Sequence, residues 1–313
     1  MRTAFIKALC EIAEREERVW LINGDLGYGV VEAFSERFPG RCVNAGVAEQ
    51  NMTGIAAGLA LSGKIVFTYS IANFPTLRCL EQIRNDICYH GGAVTIVAVG
   101  GGFAYGSLGY SHHGVEDLAI MSVLPNMRVI APGDPVETAL AVERIVADPG
   151  PAYLRLSKAG DPVVHRSTPD FQIGRAIEVR AGRDLTAIST GAMLCAATEA
   201  ADRLRAEGIS MRVLSMHTVK PLDTNAVRKA ALETGAILTV EEHRLDGGLG
   251  SRVADALIAA QVLVPMRKIG LSEKADYAGG SAAWMRARMG SIDETARALV
   301  AEKRGRHAAS GAT

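Results

Sequence analysis

Asn44–Gly58 reads NAGVAEQNMTGIAAG, an apolar, glycine-rich stretch with a single acidic side chain, Glu49, set inside it. Arg41–Asn44 ends a short extended run, Gly46 turns the chain, and Val47, Met52, Ile55, Ala56 and Leu59 then recur at helical spacing. The stretch is therefore a strand, a glycine turn and a helix, with Glu49 in the first helical turn. Burial there opposes the charged form while the helix N-terminus favours it, which poises the side chain to exchange a proton with a bound heterocycle. A glutamate that only complements the helix dipole fits the same residues, and both readings stay open at this level.

The alternation continues outward. Before the stretch, Arg2–Arg15 carries Phe5, Ile6, Leu9, Ile12 and Ala13 at helical spacing, Val19–Ile22 is a buried strand, Asn23–Gly29 is a glycine-broken loop, and a helix near Val31–Arg37 stops at Phe38-Pro39-Gly40. After it, strands are expected at Ile65–Tyr69, Ala93–Val99, Met127–Ala131 and Ala152–Leu156, and helices at Leu77–Tyr89, Val115–Val123 and Pro135–Asp148. The polar, proline-bearing run Ser157–Pro169 reads as a linker. A second unit follows, with strands Leu185–Ser189, Met211–Ser215 and Ala236–Val240 between helices that run from Gly191 to Glu207, over Asn225–Thr234 and over Leu249–Ala260. The expected class is α/β: two doubly wound domains, over 1–165 and 170–313, each a parallel sheet covered on both faces.

A chain of 313 residues, 48% hydrophobic and with a formal net charge of zero, has no general attraction for nucleic acid or anionic membrane. No apolar run reaches the ~18–20 residues of a membrane span and no charged-then-apolar leader opens the chain, so a cytoplasmic protein is expected. The five cysteines are odd in number and lack CxxC spacing, which implies neither a disulfide framework nor a zinc site.

Gly100–Gly114, GGGFAYGSLGYSHHG, contains six glycines, Gly114 included, and follows the end of a strand, where open α/β sheets keep their ligand sites. His112 and His113 close it and are candidates for acid/base or substrate contact as much as for a structural role. Adjacent histidines seldom aim at one ion, so no metal site is expected there. Gly247, Gly248 and Gly250 precede a helix as in a phosphate loop, but GGLG lacks the third glycine of the dinucleotide pattern, and close packing of helix on sheet is the expected role.

Taken together, GVAEQNMTGIAAGLALSG, FPTLRCLEQIRND, SHHGVEDLAIMSVLPNMRVIAPGDPVE, VLSMHTVKPLD and TVEEHRLDGGLGS resemble, in that order, the pyrimidine-binding and C-terminal domains of thiamine diphosphate enzymes. The resemblance spans about Arg2 to about Val300 and is nearest to the C-terminal section of split transketolases. The second half also resembles beta subunits of 2-oxoacid dehydrogenase E1 components and the end of deoxyxylulose phosphate synthase.

What the resemblance implies is specific. Glu49, in the GxxE pattern Gly46–Glu49, stands where the family places the acid that hydrogen-bonds N1′ of the cofactor's aminopyrimidine and favours the tautomer that takes the thiazolium C2 proton. Phe74 matches an aromatic stacked on the pyrimidine. Gln82, with Glu81, belongs to a helix at the dimer contact and beneath the cofactor, although plain helix-surface polarity accounts for either equally well. His112 matches a histidine that contacts the donor sugar, with His113 beside it. Arg155 in YLRLS matches an arginine that grips substrate phosphate, and Arg2 a second one, against the alternative of surface cations. The pattern departs from transketolases of common sugar phosphates at Leu108 and Gly100, where an aspartate and a further histidine are usual, and at Ile71, where an aromatic is frequent.

Asn23-Gly24-Asp25 with Asn51 only mimics the GDG…N signature of a magnesium-diphosphate site, because Leu26 and Met52 replace key positions, so no metal ligands are assigned to this chain. The resemblance implies a small subunit of a two-chain transketolase in an α2β2 assembly. A large subunit carrying GDG…N would hold Mg2+ and the diphosphate of thiamine diphosphate, and the reaction would be two-carbon ketol transfer from a ketose to an aldose. An E1 beta subunit acting on a 2-oxoacid, or a non-catalytic structural or regulatory subunit of the same fold, are the alternatives.

Overall fold

The structure, a computed structural model, describes residues 1–158, 160–273 and 279–310. Ala159 of the expected linker, and 274–278 and 311–313 of the expected second domain, lie outside the described residues. The first half runs α1 (Arg2–Ala13), β1 (Val19–Asn23), α2 (Glu32–Arg37), β2 (Cys42–Asn44), α3 (Glu49–Leu61), β3 (Ile65–Ile71), α4 (Leu80–Gln82), β4 (Val94–Val99), α5 (Asp117–Val123), β5 (Arg128–Ile130), α6 (Pro135–Ala147) and β6 (Ala152–Leu156). The second runs β7 (Ile177–Arg180), β8 (Leu185–Ser189), α7 (Met193–Ala206), β9 (Met211–Ser215), β10 (Thr218–Lys220), α8 (Thr224–Thr234), β11 (Ile237–Arg244), α9 (Leu249–Ala259), β12 (Met266–Leu271), α10 (Ala282–Arg286) and α11 (Ile292–Ser310).

Each half is built around one mostly parallel sheet, of order β10-β5-β6-β4-β3-β1-β2 and β12-β11-β8-β9-β7. Strand β4, VTIVAV, is buried at every residue, as a strand between two helical layers must be. On one face of the first sheet Phe5, Leu9 and Ile12 of α1 meet Val142 and Ile145 of α6. On the other face Met52 and Ala56 of α3 pack with Ile83, Ile87, Leu118 and Met121. Helix α6 starts where its sequence dictates: Asp134 accepts the Glu137 N–H at 2.8 Å and Pro135 fills the first helical position.

Three expectations need correction. The helix expected over Leu77–Tyr89 is a 3₁₀ turn at Leu77–Cys79, the short α4, and a π-helical segment at Ile83–Cys88; widened turns of this kind are frequent at functional sites. The first sheet is not parallel throughout, because β10, from the second half of the chain, crosses over and pairs antiparallel with β5, Thr218 opposite Ile130. Strand β11 is longer than expected and carries Glu241, Glu242 and His243 to its buried end. Elements β7, β12, α10 and α11 were not anticipated by pattern.

The two halves are joined by backbone as well as side chains. Ala131 N–H donates to the His217 carbonyl at 2.7 Å, and Gly191 N–H to the Ala131 carbonyl at 3.0 Å. At the junction Glu137 and His165 form a buried pair at 2.8 Å, and Asp134 accepts the N–H groups of Val164 and His165. The carboxyl ends of β1, β2, β3, β4 and β6 share one edge of the first sheet, and their loops carry Glu49, Phe74 and His112.

Candidate active site

Glu49 opens α3 and is 1% exposed. Its Oε2 accepts Arg78 Nη1 at 2.7 Å, whereas Oε1 accepts no hydrogen bond among the described residues. The Arg78 guanidinium lies 4.9 Å from the Phe74 ring centroid, a cation–π contact. Phe74 in turn meets His112 edge-on, the centroids 5.3 Å apart at 71°. Three loops thus bring Glu49, Phe74 and His112 to one place, together with an arginine that sequence reading passed over. Its signal was its position four residues beyond Phe74, within reach of the same ring.

The described residues suit the pyrimidine half of thiamine diphosphate. A buried carboxylate keeps one oxygen unbonded, an aromatic ring stands beside it, and Gln82 on α4, which packs on α3, has a buried Oε1 with no partner. The loop after β1 is tied to the end of β2: the Asp25 carboxylate accepts the Asn44 side-chain amide at 3.0 Å, and Asn44 Oδ1 accepts the Asp25 and Gly46 N–H groups. Among the described residues no group of three or more His, Cys, Asp and Glu is arranged to hold a metal ion.

His112 is half-buried, with Nδ1 3.0 Å from the Ser111 hydroxyl and its ring 6.5 Å from that of Tyr105. Tyr105 also lines a 240 Å³ cavity with Arg2, Tyr28, Tyr69 and Ser70. Arg2 Nε and Ser70 Oγ are buried there without hydrogen-bond partners among the described residues. Burial pushes the Tyr69 hydroxyl pKa up, so that ring presents a neutral phenol. Lys158, exposed just past β6, holds its ammonium 5.4 Å from the Tyr105 centroid.

His113 and Arg155 are both buried. His113 is 2% exposed, bonds the Gly106 carbonyl through Nε2 at 3.0 Å, and is boxed by Phe103 and Tyr110. It folds the glycine loop on itself instead of facing a ligand. Arg155 is 4% exposed, because its strand lies between β4 and β5 under helices on both faces. Its Nε donates to Asp117 Oδ2 at 2.7 Å, and its Nη2 to the carbonyls of Gly114 at 2.6 Å and Glu242 at 2.8 Å. Burial opposes its charge, but the Asp117 carboxylate, together with Tyr153 and Glu242, holds the guanidinium pKa above the ordinary value. Its Nη1 makes no hydrogen bond among the described residues, and Arg2 and Lys158 are further cations beside Tyr105.

The glycine turn before α9 is already occupied by a carboxylate of the chain. Glu241 accepts the N–H groups of Leu249 and Gly250, both at 2.7 Å, and so occupies the helix N-terminus with the chain's own carboxylate. A Cβ on Gly248 would stand 2.2 Å from Glu241 Oε2, which is why glycine is required there.

Two family models match the chain: the transketolase pyrimidine-binding domain over residues 1–160 and the transketolase C-terminal domain over residues 174–284. The chain is 39% identical over 282 residues to a subunit of the apulose-4-phosphate transketolase of Phocaeicola vulgatus, covering 90% of each chain. It is 37% identical over 274 residues to the 6-deoxy-6-sulfo-D-fructose transketolase subunit SqwH of a Clostridium species, covering 87% of this chain and 85% of that one. Among solved structures it superposes on a split-gene transketolase described as an inactive beta4 tetramer, with a TM-score of 0.85, 37% identity, and coverage of 96% of this chain and 97% of that one.

Proposed function

The chain belongs to the transketolase family, and from that premise we propose that it is the small subunit of a two-chain enzyme whose large subunit holds Mg2+ and the diphosphate of thiamine diphosphate. It would transfer a two-carbon ketol unit from a ketose to an aldose. The observation that carries this reading is Glu49: a carboxylate 1% exposed at the start of α3, with Oε1 unbonded, in one cluster with Phe74 and His112.

When bound, thiamine diphosphate supplies the nucleophilic carbon that attacks a ketose carbonyl and holds the electron pair when the neighbouring C–C bond breaks. This chain's residues then have separate tasks. Glu49 would donate or share a proton at N1′ through Oε1, and its enclosure makes that hydrogen bond stronger than one in water. Phe74 would flank the pyrimidine, with Gln82 Oε1 as a buried acceptor near the same helix pair. His112 would donate to, or accept from, the donor's oxygens as charge develops. Arg2 and Ser70 would meet the polar or anionic tail of the substrate in the cavity beyond Tyr105, with Lys158 at its rim.

Leu108 is 54% exposed in the same loop and presents no polar atom, so it rewards no particular donor hydroxyl. The two curated relatives are named for an apulose phosphate and a sulfo-sugar, and a ketose outside the common sugar phosphates is the class we favour. The self-assembled, inactive state named for the structural relative supports dependence on a second chain. The test is turnover of a panel of ketose donors by the assembled enzyme. Efficient use of xylulose 5-phosphate with sharp rejection of its C3 epimer would contradict the assignment at Leu108, and release of CO2 from 2-oxoacids would contradict the reaction class.

A further inference from the structure

The loop that carries His112 is fastened from both halves of the molecule: in the first, the Asn73 side-chain amide donates to the carbonyls of Ser111 at 3.2 Å and His113 at 2.8 Å, and the second holds its root and tip. At its root Gly102 and Gly114 form a two-bond bridge, at 2.7 and 3.1 Å, and Gly114 follows His112 by two residues. Under that bridge lies Glu242 from β11, 1% exposed, so close that a Cβ on Gly102 would stand 2.3 Å from its Oε2. Arg286 of α10 grips the same carboxylate with Nε at 2.8 Å and Nη2 at 3.2 Å. Arg155 ties the two halves together beneath, joining the Gly114 and Glu242 carbonyls. At the tip of the loop the Gly280 N–H donates to the Gly106 carbonyl at 3.1 Å, and a Cβ on Gly106 would strike the Gly280 carbonyl at 2.6 Å.

A buried carboxylate and a half-exposed arginine are a costly way to support a loop that apolar packing could also support. What an ion pair adds is direction: the forked guanidinium fixes the carboxylate plane, and the carboxylate fixes how low Gly102, with its φ of +68°, can sit. We propose that the C-terminal domain takes part in the reaction by setting the position of His112, with Glu242 and Arg286 as positioning residues. The proposal rests on the reading of His112 as a substrate contact.

The test is a double-mutant cycle in the assembled two-chain enzyme, with Arg286→Met and Glu242→Gln each made alone and in a His112→Ala background. Each single variant should lower kcat/KM for the ketose donor by up to ~10²-fold, the scale for moving a reacting group by about 1 Å, and leave thiamine diphosphate affinity unchanged. On the His112→Ala background the same substitutions should change little, since the group they position is gone. Arg286→Lys, which keeps the charge but not the fork, should fall between and guards against a variant that fails to fold. Equal losses on both backgrounds, or wild-type kcat/KM for Arg286→Met, would overturn the proposal. Wild-type turnover by His112→Ala would instead overturn the role of His112, and with it the premise.

Discussion

Arg155→Met separates the two readings of Arg155 most cleanly. The substitution keeps an unbranched apolar stem and removes the guanidinium. Left behind are the Asp117 carboxylate, whose Oδ1 already lacks a partner and whose Oδ2 keeps only the Tyr153 hydroxyl, and the carbonyls of Gly114 and Glu242. Removing one partner of a buried ion pair costs about 3–5 kcal/mol. That is a large part of the ~5–15 kcal/mol by which a domain is stable. Chemical denaturation of the isolated chain at fixed concentration should therefore show a much lower midpoint at an unchanged slope. Asp117→Asn added to Arg155→Met should recover part of the loss, because no charge is then stranded. A variant with wild-type stability that no longer turns over phosphorylated donors in the assembled enzyme would refute this reasoning and restore Arg155 as a phosphate grip.

Glu49→Gln should keep the fold and slow exchange of the cofactor's C2 proton by ~10²–10⁴-fold in the assembled enzyme, the usual worth of a positioned acid/base group; exchange at the wild-type rate by NMR would exclude the role. A pH dependence follows from the domain junction. Burial opposes charge on His165, but the Glu137 carboxylate outweighs it and lifts the pKa above the ordinary 6.5, while Glu137, also against burial, is held below its ordinary 4.5 by His165 first. The pair's contribution is thus whole between about pH 4.5 and 6.5 and is lost as pH rises through the folded-state pKa of His165 or falls through that of Glu137. His165→Gln should flatten the alkaline fall of the denaturation midpoint, and an unchanged slope would count against the pair. Gly248→Ala should destabilise the chain by about 1–3 kcal/mol, the range for overpacking a closed site, and a neutral result in thermal unfolding would show that Glu241 does not need that glycine.

Much of this was legible from local pattern, and the failures share a cause. The buried run Val94–Val99, the helix of Glu49 and the glycine loop Gly100–Gly114 announce themselves because propensity, periodicity and burial agree there. Three-residue β10 has no such signature, since its place in the first sheet is set by pairing with β5 from the other half. Arg155 sits in YLRLS, and a charged residue inside a strand with neighbours on both sides must be paired within the protein, a pairing that the motif alone does not reveal. Lys158, three residues on and past the strand end, is the cation that geometry leaves exposed. The Arg78–Glu49 pair was illegible for a different reason, because it joins loops that follow different strands.

The dependence on a second chain is tested most directly by calorimetric titration of thiamine diphosphate and magnesium into this chain alone and into an equimolar mixture with a partner carrying the GDG…N diphosphate motif, with ketose turnover followed in both. The chain supplies Glu49, Phe74 and His112 but binds its acidic loop, Asp25 with Asn44, to itself. It should show no tight, magnesium-dependent binding and no turnover alone, and both once the partner is added. Tight magnesium-dependent binding with turnover by this chain alone would contradict the account.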